Sequence, residues 1–468
     1  MNPKFFTTIL VYTAFSFSSF SQIKLPALFS DNMVLQQNSE ITVWGWAEPS
    51  EKIKIVGSWS SSDTITSTAD NRAKWVAKIK TSNAGGPYTL TFLGSNRIEL
   101  QNVLLGEVWI CSGQSNMEWS VNRGVQDGEK EAAYANYQRI RFLQIPKIGA
   151  ETPQQDFKAS WSVCTPSTMR NFSAVGYFFG RELMRNLNVP VGLIMAAWGG
   201  TNAEVWIEKT CVEKDPTLYE NRIVEEFEWG PAAPGIAWNS MINPLIPYSI
   251  AGAIWYQGES NCAKPNHYCK LMQALIEKWR EDFGNQFPFY WVQIAPYDYG
   301  ENVKAYLIRE QQSKMLSMPN TGMVVISDLV DDIKNIHPKN KSDVGKRLAK
   351  LALNKTYGIK NGEVVSPMLK SVTFENIMAS ITFSNASDGL ICKTKSPERF
   401  FVAGDDQEFF PGEAKIEGNS IVIFSKNVKN PVAVRYCFDN TSLPDVFNTA
   451  GLPLAPFRTD TWSDFKFK

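Results

Sequence analysis

Histidine is the scarcest reactive side chain in this sequence: 468 residues contain only His267 and His337. The seven cysteines, Cys111, Cys164, Cys211, Cys262, Cys269, Cys392 and Cys437, include no Cys-x-x-Cys pair, so a metal cluster is not expected. Their odd number leaves at least one thiol outside any disulfide within the chain. A charge excess is missing too, because 47 basic residues face 47 acidic ones. Without it, neither nucleic acid nor an anionic membrane is expected as a partner. Beyond the first twenty residues no apolar run is long enough to cross a bilayer. Internal repeats and low-complexity linkers are absent.

What is present divides into four parts. Residues 1–21 carry Lys4, an apolar run from Phe5 to Phe17 and the small-residue pattern Ser19-Phe20-Ser21, which reads as a secretory signal and predicts export to the periplasm or beyond the cell. Residues 22–103 alternate in short runs such as Ile41-Thr42-Val43-Trp44 and Lys74-Trp75-Val76-Ala77; period two with regular breaks predicts an antiparallel β domain. Over 104–357 the rhythm changes to buried apolar strands, at 104–110, 189–196, 250–256, 287–294 and 322–327, between amphipathic helices near 173–187, 267–283, 303–317 and 341–354. That alternation predicts an α/β domain around a parallel sheet. Residues 358–468 return to alternation, clearest in Ser420-Ile421-Val422-Ile423-Phe424, and predict a second β region. The aromatic load, 15 Trp, 15 Tyr and 28 Phe, is mostly core, although a Trp beside a polar pocket also suits a sugar ring.

Several strands of the middle part end in polar punctuation. The run Leu104 to Cys111 meets Ser112-Gly113-Gln114-Ser115-Asn116-Met117; strand 189–196 meets Trp198-Gly199-Gly200-Thr201; strand 250–256 meets Gln257-Gly258-Glu259-Ser260-Asn261. Each alone is ordinary turn chemistry. Parallel strands, however, deliver their carboxyl ends to one edge, where Ser115 is the candidate nucleophile and glycine amides with a Gln or Asn side chain are candidate oxyanion donors. A serine needs a base. His337 lies after the last predicted strand and before a helix, the place from which a base reaches that edge, whereas His267 opens an amphipathic helix and reads as a surface residue.

With those blocks in hand, Gly113-Gln114-Ser115-Asn116-Met117, Trp198-Gly199-Gly200-Thr201, Trp255-Tyr256-Gln257-Gly258-Glu259-Ser260-Asn261 and Ile336-His337-Pro338, the chain resembles the SGNH hydrolase superfamily, specifically its sialate O-acetylesterase family. Supporting similarity runs from Leu25-Pro26-Ala27-Leu28-Phe29 to Pro456-Phe457-Arg458. The resemblance implies an SGNH-type, flavodoxin-like three-layer α/β/α parallel sheet with accessory β-sandwich-like domains at both ends. It also implies a Ser115–His337 esterase acting on O-acetylated sugars or glycans, with the oxyanion held by the Ser115 N–H, Gly200 and Gln257.

The superfamily places an aspartate three residues before the histidine, and here that residue is Lys334, followed by Asn335. A lysine accepts nothing from an imidazole N–H, so the third member is open among Asp328, Asp331, Asp332 and a backbone carbonyl. Glu259, Asn261, Trp198 and Arg309 are candidate substrate contacts, Arg309 because a guanidinium pairs with a sialate carboxylate. The chemistry calls for no metal or organic cofactor. The family points to 9-O-acetyl sialic acid; acetyl-xylan or pectin sugars are the alternative substrates, and a non-catalytic carbohydrate-binding protein is the alternative of another class. An α/β-hydrolase elbow fits poorly, since Met117 stands where Gly-x-Ser-x-Gly needs its last glycine.

Overall fold

The computed structural model describes residues 22–60, 63–225, 229–360, 362–463 and 465–468. The signal segment read in residues 1–21 lies outside the described residues. Among the described residues, no helix is long and apolar enough to cross a membrane.

Six parallel strands form the centre: β1 (Arg97–Gly113), β2 (Tyr137–Gln144), β3 (Val191–Ala197), β4 (Gly252–Tyr256), β5 (Phe289–Val292) and β6 (Thr321–Val324). Their spatial order is β6-β5-β4-β1-β3-β2, and the short strand Ser162–Cys164 closes the β2 edge antiparallel. β1 therefore sits between β3 and β4, at the point where the chain changes its direction of travel across the sheet. Open α/β sheets bind ligands at such a point.

Side chains alternate across β1. Val108 and Ile110 join one core with Trp255, Leu275, Trp279 and Ile308, while Trp109 and Cys111 join another with Phe178, Phe179, Leu193 and Leu348. Helices α1 (Ala174–Leu187) and α4 (Lys341–Lys355) cover the second face; α2 (Tyr268–Asp282) and α3 (Ala305–Lys314) cover the first. In α2 the residues Leu271, Leu275, Ile276 and Trp279 are buried at three- and four-residue spacing, so the stripe is packing, as expected. Burial of each such side chain contributes about 1.5–3 kcal/mol.

Two features depart from the sequence reading. The boundary between residues 103 and 104 does not exist in the backbone: β1 is one 17-residue strand, whose first half pairs with Gly85–Leu93 of the N-terminal part. Strand Val34–Gln36 also pairs parallel with β1 at Leu104–Gly106. Core residues Ile41, Val43 and Ile55 accordingly share one cluster with Val108 and Trp255. Strand β2 was not expected, because Gln138, Arg139, Arg141 and Gln144 break its apolar pattern. Arg141 is buried there, its guanidinium donating to Asn32 Oδ1, Asn102 Oδ1 and the Gln138 carbonyl.

The C-terminal part is built of two larger, mainly antiparallel sheets and a two-stranded one that pairs Leu390–Cys392 with Val446–Asn448. Of the larger two, one orders Met368–Glu375, Met378–Ser384, Ser420–Phe424 and Glu413–Glu417; the other is centred on Phe400–Ala403 and Ala433–Tyr436. Ile381, Ile421, Ile423, Val402 and Val434 fill the space between them. None of the seven cysteines is joined in a disulfide.

Candidate active site

Register explains why the polar blocks meet. Gly113 is paired with Ala197 on one side and with Tyr256 on the other, so the segments beginning at Gln114, Trp198 and Gln257 leave the sheet from the same rung. Hydrogen bonds tie them at once: the Gln114 N–H donates to the Tyr256 carbonyl at 3.0 Å and the Trp198 N–H to the Gly113 carbonyl at 3.1 Å. Gly113 has φ +128°, and a Cβ there would collide with the Tyr256 carbonyl. Only glycine passes this exit.

The next turn is helical from Ser115 to Glu118, which leaves the Ser115 N–H without a helical acceptor. His337 reaches it from the loop before α4, with Nε2 2.9 Å from Ser115 Oγ; the two residues are 222 positions apart in sequence. The imidazole lies flat on the Trp119 indole, ring centroids 3.9 Å apart and planes 18° apart. Its backbone N–H donates to Asn335 Oδ1 at 3.0 Å. Burial, reinforced by the positive charges of Lys341 and Arg123, lowers the His337 pKa to about 4, so the ring is neutral, with a lone pair to offer, at neutral pH. His267 sits at the start of α2 and plays no part in this contact.

Among the described residues no aspartate bonds to His337. Asp328 is engaged by both Nη atoms of Arg347 at 2.7 Å. Asp331 pairs with Lys339, and Asp332 accepts the Lys334 N–H at 2.9 Å. Among the described residues none of the three bonds to His337, whose ring plane is instead set by Trp119 and the Ser115 hydroxyl. The physical reason is loop geometry: the turn from Asp331 to Asn335 spends its carboxylates on its own backbone and on neighbouring cations.

Among the expected oxyanion donors, Gly200 has φ +78°, and no acceptor among the described residues takes its N–H. A Cβ on Gly200 would strike the Trp229 indole. Gln257 departs from expectation. It is fully buried, and its amide nitrogen donates to Asn261 Oδ1 at 2.7 Å and to the Thr201 carbonyl at 3.3 Å. Both amide hydrogens are thus spent, one within its own block and one bracing it against the Trp198–Thr201 block.

Asn261 belongs to the same lacing, accepting the Ala203 N–H and donating to Glu204. Glu259 is also buried; its Oε1 accepts from Asn116 Nδ2 at 2.6 Å, next to Ser115. Arg309 is 2% exposed and donates to the Asp439 carbonyl in the C-terminal part, so it is closed to substrate. Of the four candidate contacts, Trp198 alone stays at the rim, its indole N–H on the Trp229 carbonyl at 3.0 Å.

Four positions with functional weight escaped the sequence reading. Asn116 clamps the base loop, its Nδ2 donating also to the Ile336 carbonyl at 3.0 Å while its Oδ1 accepts from Lys341 Nζ at 2.5 Å. Lys341 is wholly buried, and burial lowers its pKa to about 7 against the opposing pull of Glu259; burial likewise raises the Glu259 carboxyl. Glu118, one helical turn after Ser115, accepts the Gly199 N–H at 2.8 Å, fixing the glycine loop. Trp119 carries the imidazole. Asn116, Glu118 and Trp119 were in plain view beside Ser115, but their roles depend on partners that only the fold supplies.

Comparison with known proteins agrees with this geometry. Residues 105–354 match the family model described as carbohydrate esterase, sialic acid-specific acetylesterase. The sialate O-acetylesterase of Mus musculus is 28% identical, the alignment covering 97% of each chain; that of Homo sapiens is 30% identical over 75% of this chain and 74% of its own. The crystal structure of a carbohydrate acetylesterase from Xanthomonas citri superposes with a TM-score of 0.87 at 34% identity, covering 94% of this chain and 100% of that one. A buried-strand sheet with a serine, a neutral imidazole and the unengaged Gly200 amide at its switch point, matched along most of its length, makes the chain a carboxylic ester hydrolase that belongs to the family of sialic acid-specific carbohydrate acetylesterases.

Proposed function

We propose that this chain removes O-acetyl groups from sialic acids, the 9-O-acetyl ester foremost, through an acetyl-enzyme on Ser115. The observation that carries the reading is the 2.9 Å contact between Ser115 Oγ and His337 Nε2. Ser115 Oγ attacks the acetyl carbonyl carbon while Nε2 takes the hydroxyl proton. The negative charge that develops on the carbonyl oxygen meets the Ser115 and Gly200 N–H groups. Nε2 then returns its proton to the sugar oxygen as the ester C–O bond breaks, leaving acetyl-Ser115 and the free hydroxyl. Water repeats the sequence: its oxygen attacks the acetyl carbon, its proton passes to Nε2 and on to Ser115 Oγ, and acetic acid departs.

In this scheme the chain works as a dyad. The orienting task that an aspartate performs elsewhere falls to the stacked Trp119 ring, whose electron-rich face also favours the transient imidazolium. Acetate release from 9-O-acetyl-N-acetylneuraminic acid tests the proposal. Ser115→Ala and His337→Ala are each expected to lower kcat by at least about a thousandfold, with circular dichroism unchanged. Near wild-type turnover in either would remove that residue from the mechanism, and release from acetyl-xylan in place of the sialate would reassign the substrate.

A further inference from the structure

The burial of Arg309 leaves the carboxylate of an acetylated sialic acid without its expected partner, and the site supplies another. Glu118 carries two cations on one oxygen: Arg123 Nη2 donates to Oε1 at 2.7 Å and Lys147 Nζ at 2.8 Å. Its other oxygen is taken by the Gly199 N–H. One carboxylate is therefore shared by two cations and an amide, which leaves one positive charge of the pair over.

Both cations face water, with side chains 42% and 41% exposed against 9% for Glu118. That sets Arg123 apart from Arg141, Arg309 and Arg435, which are buried. Arg123 spends one guanidinium donor on Glu118 and keeps the rest of its fork, the geometry that suits a carboxylate.

The cluster is keyed to the nucleophile. Glu118 closes the turn that Ser115 opens, and the Arg123 guanidinium stands 5.7 Å from the Trp119 ring that stacks on His337. The same indole neighbours both the cation and the imidazole. Arg123 is close enough to lower the His337 pKa, which gives the distance an electrostatic measure. Beside Lys147 opens a cavity of about 510 Å³ with a mixed lining, apolar at Phe142, Ile145 and Phe172 and polar at Lys158, Thr168 and Asn171; Asn171 accepts from Asn122, the residue before Arg123. With a net charge of zero, the molecule has no global field to draw in an anion, so selection has to be local.

We infer that Arg123 and Lys147 form the subsite that binds the carboxylate of the acetylated sugar and sets the preference for an anionic over a neutral substrate. The inference rests on the sialate reading above. In a sialoside the carboxylate and the glycosidic bond leave the same carbon, so a carboxylate held here sends the rest of the glycan toward the cavity beside Lys147, while the glycerol arm bearing the ester points to Ser115.

Kinetics on two substrates test it: 9-O-acetyl-N-acetylneuraminic acid as its methyl glycoside, and the same compound with the carboxylate blocked as a methyl ester. The wild type is expected to favour the acid at least tenfold in kcat/KM, chiefly through KM. Arg123→Gln and Lys147→Gln should each bring that ratio down by about an order of magnitude, and Lys147→Arg should keep it. A role confined to holding Glu118 and Gly199 would lower turnover of both substrates together and leave the ratio intact, overturning the subsite. A wild-type ratio near one would overturn it as well while leaving the esterase reading standing. Acetate release from neither sialoside would overturn the sialate reading itself, and the subsite with it.

Discussion

At the scale of single residues, the environment of His337 decides the behaviour of the site. A base whose pKa is held near 4 by burial and two cations is ready at neutral pH without a carboxylate partner. Below pH 4 the ring protonates and the serine loses its acceptor, so the acid limb of kcat/KM is expected at about pH 4 rather than at the ordinary imidazole value. Removing a nearby positive charge makes the imidazolium easier to form, which raises the pKa. Arg123→Gln should therefore move the acid limb upward, and a pH profile on an uncharged acetyl ester reads the shift. A wild-type limb near 6.5 would mean that His337 is solvated or is not the base. The sequence named Ser115 and His337 because a serine esterase with two histidines has few choices. Arg309 misled because a helix that carries charge looks solvent-exposed until another domain covers it.

At the scale of elements, the chemistry depends on three strands ending on one rung. Gly113, Ala197 and Tyr256 are register partners, and the positive φ of Gly113 turns the chain from strand into the helical turn that Ser115 opens. Gly113→Ala places a methyl against the Tyr256 carbonyl in a conformation that alanine disfavours. We expect a loss of about 3 kcal/mol or more in urea unfolding, together with a fall in kcat; an unchanged midpoint would show that the exit has room. Strands β1, β3, β4, β5 and β6 and all four long helices were legible from periodicity, because buried parallel strands are continuous apolar runs and amphipathic helices repeat at 3.6 residues. Strand β2 was not, since its buried Arg141 is satisfied by Asn32 and Asn102, partners remote in sequence.

For the whole molecule, the accessory parts are bolted to the catalytic layer. The N-terminal part shares strand β1 with the sheet. The C-terminal part docks on α3 and the loop before it: the Tyr297 N–H donates to the Asn440 carbonyl, Asn440 Oδ1 accepts the Ala305 N–H at 3.0 Å, and Arg458 grips Glu310 through two bonds of 2.8 and 3.0 Å. That pair is largely shielded, with side chains 13% and 17% exposed, so breaking it strands a partly buried guanidinium. Glu310→Ala is expected to cost about 2 kcal/mol in chemical denaturation, with an earlier transition for the C-terminal part if it unfolds as its own unit. No change in either would show that the interface is held by Asn440, the Arg309–Asp439 contact and apolar packing.

The amino-acid sequence by itself determined the layered architecture and singled out Ser115 and His337, which the fold brings into contact, because periodicity is a local property and reactive side chains are few. Only the tertiary structure decided which neighbours of Ser115 face substrate and which brace the site. A glutamine, an asparagine or an arginine has the same donors in either role, and what commits them is the partner brought to them from a distant part of the chain: Thr201 for Gln257, Ile336 and Lys341 for Asn116, Asp439 for Arg309.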